Sequence, residues 1–384
     1  MNFDLSPEQH ALRDAARRFL DQHVGFDDLR RRHEGGYAER FDRSLWRSMA
    51  GLGWLGAAAP EDLGGSGLGV TELCVLAEEA GRCLAPVPFV LSAGVVAEAI
   101  RCHGNDAQRR RWLPRLASGE TVATFALAEG PGRTRPEQMT ACYATAHGHL
   151  NGVKLPVPAA AEAQFALVAC RADDAQGPVT LVLLDLQQAG VQRTALQGFD
   201  PFRTQARIAC IDAAAEPLGT WPQPSGLLDA ILDRAAILTA FEQIGGASAC
   251  LDMARSYALE RHVFARPIGS FQAIKHRLAE MAARIELARS NAWFAAWALE
   301  ECDAGRPQAV PGGLDLAAAT ARISAGEAFD FASRENVQIH GGAGFTWEGN
   351  AHPFYSRARH LAVWLGGEPV WSARLVAALG REAA

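Results

Sequence analysis

The chain has 384 residues, 49% of them hydrophobic, and a net charge of −6 at neutral pH. That length can bury substantial cores and is long for one compact unit, so two or three subdomains are expected. The acidic balance gives no electrostatic reason for a nucleic-acid partner, and no apolar run approaches the length needed to span a membrane, so neither is expected. Asp4, Glu8, Arg13 and Asp14 interrupt the opening residues, which lack the shape of a secretion signal, and a cytoplasmic location is expected. Eight cysteines without a Cys-x-x-Cys pair read as reduced, mostly buried small side chains. His147 and His149 flank a glycine with no carboxylate or thiol cluster beside them, so no metal site is expected.

Ser6, then Pro7, with Gln9 three positions after the serine, is a helix start. Leu12, Ala15, Ala16, Phe19 and Leu20 mark its apolar face, and further helical patterns follow near 42–52, 69–82, 90–103 and 106–117. Residues 1–120 therefore read as an α-helical domain, with the glycine-rich 64–69 stretch as a plain connection. After Gly119 the pattern changes. Short β-like runs at 122–128, 164–170, 179–185 and 206–212, bounded by Gly, Pro and Asp, predict a small barrel or sandwich over 121–225. From 226 to 384 the reading is helical again: a pattern at 226–262 interrupted at Gly245-Gly246, then 271–303, 314–338 and 353–379. Four long helices suggest a bundle, with Trp293, Phe294 and Trp297 as packing residues. The fold class is α+β: a helical domain, a β domain and a helical bundle.

Two stretches stand out. In Tyr257–Met281 a helix ends near Arg261, a connection runs through Arg266, Pro267 and Gly269, and a second helix starts with Ser270 as N-cap. Taken alone, Arg261 does no more than offset its helix dipole. In Val337-Gln-Ile-His-Gly-Gly-Ala-Gly-Phe345, three glycines in four positions let backbone amides approach a phosphate or ribose. Both stretches resemble the acyl-CoA dehydrogenase family, which reads close to Tyr-Ala-x-x-Arg-x-x-Phe-x-x-Pro-Ile-x-x-Phe-Gln and Gln-Ile-x-Gly-Gly-x-Gly there. Phe3-Asp-Leu-Ser-Pro-Glu-Gln9 and Pro60-Glu-Asp-Leu-Gly-Gly-Ser-Gly67 extend the match over nearly the whole chain.

The resemblance implies removal of an α-proton from an acyl-CoA thioester by a carboxylate, with the β-hydrogen passing as hydride to FAD. Such a base needs a dry cleft that raises its pKa toward that of the activated carbon. At the family's two base positions this chain has Ala235 and Gly366. Glu368, two residues along, and Glu242 are the remaining candidates, while Asp233 lies about 160° around the helix from position 235. The flavin-facing stretches also depart from the family. Ala128-Glu-Gly-Pro-Gly-Arg-Thr134 stands for Thr-Glu-Pro-Gly-x-Gly-Ser, and Lys154-Leu-Pro-Val-Pro-Ala159 for Lys-x-Trp-Ile-Thr-Asn. Pro156 takes the place of an aromatic packed on the flavin, and Pro158 that of a threonine whose hydroxyl and amide reach the ring; proline offers neither donor.

The resemblance implies that Arg261, Phe264, Phe271, Gln272, Gln338, Gly341 and Gly342 contact the pyrophosphate and adenosine half of FAD held mainly by a neighbouring subunit. Arginine pairs well with pyrophosphate. A worn flavin pocket beside an intact arm resembles the less catalytic member of an α2β2 acyl-CoA dehydrogenase, acting on a bulky acyl-CoA such as a steroid side chain. The implied partners are the acyl-CoA, a non-identical subunit and an electron-transfer flavoprotein. A homo-oligomeric dehydrogenase with a displaced carboxylate, or a non-enzymatic acyl-CoA-binding relative, are the alternatives.

Overall fold

A computed structural model describes residues 4–382; Phe3 of the opening motif lies outside the described residues. Six helices open the chain: α1 (Pro7–His23), α2 (Phe26–Glu34), α3 (Arg43–Gly51), α4 (Val70–Arg82), α5 (Ala97–His103) and α6 (Asp106–Ala117). The start expected at Ser6 is a full capping box. Its hydroxyl accepts from the Gln9 amide, and the Gln9 side chain accepts from the Ser6 amide. Before α5 the buried segment Val90–Val96 winds as a π-helix.

Seven strands follow: β1 (Ala123–Ala126), β2 (Cys142–Ala144), β3 (His149–Pro158), β4 (Phe165–Ala172), β5 (Val179–Asp185), β6 (Val191–Leu196) and β7 (Gln205–Pro217). They run in the order β1-β4-β2-β3-β7-β5 with β6 joined to β7, and pairing of β5 back to β4 closes β4-β2-β3-β7-β5 into a barrel. Closure leaves no free edge around that ring. The barrel interior holds Val157, Ala166, Val168, Val182, Leu184 and Ile208.

The rest is helical: α7 (Leu227–Glu260), a hairpin of β8 (His262–Val263) and β9 (Arg266–Pro267), then α8 (Gln272–Asp303), α9 (Gly313–His340), α10 (Gly342–Phe345), α11 (Ala351–Val363) and α12 (Glu368–Glu382). Helix α9 packs along both α7 and α8, and α4 of the N-terminal part packs on α7, so one core runs through both helical regions. Trp293 packs edge-on against Phe241 at 4.6 Å, as expected of a packing residue.

Three expectations need correction. The helix α7 passes straight through Gly245 and Gly246. A Cβ at Gly245 would lie 1.9 Å from the Glu78 carbonyl oxygen, and one at Gly246 would lie 2.4 Å from the Phe329 ring. These glycines permit close crossings by α4 and α9 and do not break the helix. The pattern at 353–379 is two helices, because Leu365 and Gly366 adopt left-handed conformations (φ +62° and +84°) between α11 and α12. Among the described residues the bundle thus has three long helices, α7 to α9, and three shorter ones, α10 to α12. Helix α8 is capped at Phe271, preceded by a 3-10 turn over Ile268–Ser270, and the Ser270 hydroxyl finds no partner.

Candidate functional site

The ends of α7 and α9 meet. Tyr257 stacks on His340 with ring centroids 4.3 Å apart, which brings the two motifs to one surface. From there the β8–β9 hairpin projects, closed by Ile268 N–H donating to the Arg261 carbonyl at 2.8 Å. Its two-residue tip, Phe264 and Ala265, has φ of +52° and +61°. Such hairpin tips are normally Asn-Gly, because side chains in that region are strained. Strain held in a motif residue points to function. Phe264 is 87% exposed, a costly place for an aromatic ring unless another surface covers it. Arg261, Gln272 and Gln338 are exposed, and the Arg261 guanidinium has no acceptor among the described residues. Phe271 is half-buried beneath the Arg266 guanidinium, 4.0 Å from its ring centroid. A Cβ on Gly341 or Gly342 would meet nothing within 4 Å, so nothing in this chain fills the space beside these backbones.

A second region lies between the barrel and the α11–α12 turn. There a cavity of about 290 Å³ is lined by Phe125, Leu127, Pro131, Thr134, Pro156, Pro158, Gln205, His360, Trp364 and Leu365, among others. No carboxylate is among its lining residues. Gly366 sits at its edge, and a Cβ there would lie 2.8 Å from the Thr134 hydroxyl. That hydroxyl is buried and unpartnered. Gln205 Nε2 donates to His360 Nδ1 at 2.8 Å, and burial holds the His360 imidazole neutral, with its pKa pushed down to about 3. Pro158, His360 and Trp364 also line a neighbouring cavity of about 30 Å³, so they form a wall between the two. The smaller space has room for no more than a couple of water molecules.

The carboxylates considered as bases lie elsewhere. Glu242 is buried and paired with Arg203 and Arg357, and Arg357 is also paired with Asp200. Glu368 opens α12 and lines a separate cavity with Arg322, Glu327 and Asp330. Asp233 accepts from Arg374 at 2.6 Å, while burial raises its pKa to about 6 against the pull of that arginine. Ala235 is fully buried in the core. Glu98, Cys102 and Asp303 come within 4.8 Å of one another, but Arg101 and Arg234 bridge both carboxylates, which leaves no net charge for a cation. His147 and His149 are exposed on a hairpin apart from this cluster.

Residues 6–120 match the acyl-CoA dehydrogenase N-terminal domain and residues 227–379 the acyl-CoA dehydrogenase C-terminal domain. Acyl-CoA dehydrogenase IpdE2 of Mycobacterium tuberculosis is 32% identical over 360 residues, 92% of each chain. The chain belongs to the acyl-CoA dehydrogenase family. Among solved structures, a variant of the steroid acyl-CoA dehydrogenase Tcur3481–Tcur3483 superimposes with a TM-score of 0.85 at 30% identity, over 98% of both chains. The ChsE4–ChsE5 complex from Mycobacterium tuberculosis gives 0.86 at 28%, over 100% of this chain and 99% of that one. Among the described residues, no helix is long and apolar enough to cross a membrane.

Acyl-CoA dehydrogenases act on a CH–CH bond with FAD, and the residues of the two regions differ in how they would suit that cofactor. The arm fits the adenosine and pyrophosphate half: an unpaired guanidinium, an uncovered aromatic ring and open glycine backbones share one surface. The cavity meets a flavin ring less well: Pro131, Pro156 and Pro158 present no N–H to the polar edge of such a ring, and the unpartnered Thr134 hydroxyl is a donor that remains there. Reading the sequence did not single out His360 or Trp364. Both lie within the stretch that leads to Gly366, but nothing in their residue types marks them as a wall.

Proposed function

We propose that this chain is the less catalytic subunit of an FAD-dependent acyl-CoA dehydrogenase that removes hydrogens from the α and β carbons of an acyl-CoA thioester beside a non-identical subunit. The observation that carries the reading is Gly366. It stands where the family places a carboxylate, in a left-handed conformation against Thr134, beside a cavity lined by no acid. A carboxylate there would need both a strained backbone and a shift of the Thr134 side chain.

When bound, the flavin supplies the hydride acceptor, and this chain holds the other end of the molecule. Arg261 meets the pyrophosphate through charge-assisted hydrogen bonds, Phe264 offers an apolar face to the adenosine, and Gly341 and Gly342 allow close backbone approach. The base and the thioester-binding groups come from the partner. The names of the similar structures, one a steroid acyl-CoA dehydrogenase and another a two-component complex, support a bulky steroid-type acyl-CoA and an unlike partner. An electron-transfer flavoprotein is the acceptor we assign on the family resemblance.

Purification alone and after co-expression with a neighbouring gene's product tests the reading. Flavin absorbance is expected in the co-expressed complex and not in the single chain. A yellow single chain that bleaches on adding acyl-CoA would favour a homo-oligomeric enzyme. Absence of flavin in both preparations would favour a non-enzymatic relative.

A further inference from the structure

We infer that Arg30, on the N-terminal domain, is a positioning residue for the glycine-rich arm; the inference rests on the reading of that arm as a nucleotide contact. The segment that follows Gly341 folds back on itself. Gly344 N–H donates to the Gly341 carbonyl at 3.0 Å, the Thr346 hydroxyl to the Ala343 carbonyl at 3.2 Å, and Gly349 N–H to the Thr346 carbonyl at 3.1 Å. A Cβ on Gly349 would lie 2.2 Å from the Ala343 oxygen, so the loop is tight from its start to its return.

The return is where Arg30 acts. Its Nε donates to the Trp347 carbonyl at 2.9 Å, and its Nη2 donates to the Glu348 carbonyl at 2.7 Å and to Asn350 Oδ1. These partners lie 317 to 320 residues away in the chain. The remaining nitrogen, Nη1, pairs with Asp27 on the same helix at 2.9 Å. His33, one turn on along α2, packs its ring against Trp347 at 4.9 Å. A planar guanidinium divided among two main-chain oxygens and one amide fixes the path of the backbone, and no single ammonium group can span the same set. It also offsets little charge at the loop, since the oxygens it meets there are all neutral. Arg30 itself touches none of the arm's exposed residues. Its effect on a nucleotide passes through the loop it holds.

The test is FAD affinity in the assembled enzyme, with turnover at saturating FAD and the KM for acyl-CoA measured alongside. Arg30→Gln should raise the dissociation constant for FAD about tenfold, with Arg30→Lys in between. Turnover at saturating FAD and the KM for acyl-CoA should stay at wild-type values. Arg261→Ala is the control for the arm. If Arg261→Ala weakens FAD and Arg30→Gln does not, the positioning role is overturned and the arm reading stands. If neither weakens FAD, the arm reading fails and takes this inference with it. Should Arg30→Gln fail to fold, Asn350→Ala removes one acceptor only. Faster hydrogen exchange across 341–350 together with weaker FAD binding in that variant supports the role; unchanged exchange and binding overturn it.

Discussion

A Cβ on Gly366 would lie 2.8 Å from the hydroxyl of Thr134, which joins the α11–α12 turn to the loop after β1. On the proposed reading, a carboxylate at Gly366 meets two obstacles at once, a left-handed backbone and a neighbouring side chain. Gly366→Glu should therefore give no gain in acyl-CoA turnover and should destabilise the chain by about 1–3 kcal/mol. Urea unfolding and a turnover assay of the purified variant check both parts.

Glu368 faces Arg322, Glu327 and Asp330 in a cavity that Gly366 does not line. Glu368→Gln should leave turnover of the assembled enzyme nearly unchanged. A drop on the order of a hundredfold, the size expected on losing a positioned base, would place the base in this chain.

His360 predicts how stability responds to acid. Its pKa falls from the ordinary 6.5 to about 3 on folding, so below pH 6.5 the unfolded chain takes up a proton that the folded chain refuses. Stability should fall as the pH drops from 6.5 toward 3, by about 1.4 kcal/mol per unit from this residue alone. Asp233 tilts the curve the other way. Its pKa rises on folding from 3.8 to about 6, so its share of stability is present at low pH and lost as the pH rises through 6. The comparison with His360→Gln isolates the first effect: the variant should lose less stability than the wild type between pH 6.5 and 5. Parallel curves would contradict a neutral buried imidazole.

Gly245→Ala places a methyl group 1.9 Å from the Glu78 carbonyl, where backbone cannot yield cheaply. Although alanine favours helices, this variant should lose roughly 3 kcal/mol in denaturant unfolding. The same pair shows where the sequence was hard to read. Two adjacent glycines in a helical pattern look like a break, because a local pattern carries no information about which helix crosses there. Leu365 poses the opposite problem: nothing in its type announces a positive φ, so 353–379 reads as one helix.

Other features were legible because they are local. The Ser6–Gln9 capping box, the short apolar runs of the barrel strands bounded by Gly, Pro and Asp, and the order of helical and β regions all follow from short-range chemistry. The exposed arm could be named from its motifs, but its strained Phe264-Ala265 tip could not. The wall of His360 and Trp364 and the hold of Arg30 on Trp347 join residues far apart in sequence, and no spacing rule reaches them.

Arg261→Ala removes the guanidinium at the base of the hairpin while leaving the fold's core untouched. FAD occupancy of the assembled enzyme should fall, with a dissociation constant raised on the order of tenfold or more, as expected for loss of a charge-assisted contact. Fluorescence titration with FAD measures it. Unchanged occupancy would remove the cross-subunit role from this residue.

The most direct measurement is the flavin content of this chain prepared alone and prepared with its partner, followed by reduction with acyl-CoA. The account predicts a colourless single chain and a yellow complex with fewer flavins than chains, all of them reducible. A single chain that carries a full complement of flavin and is bleached by acyl-CoA would contradict it.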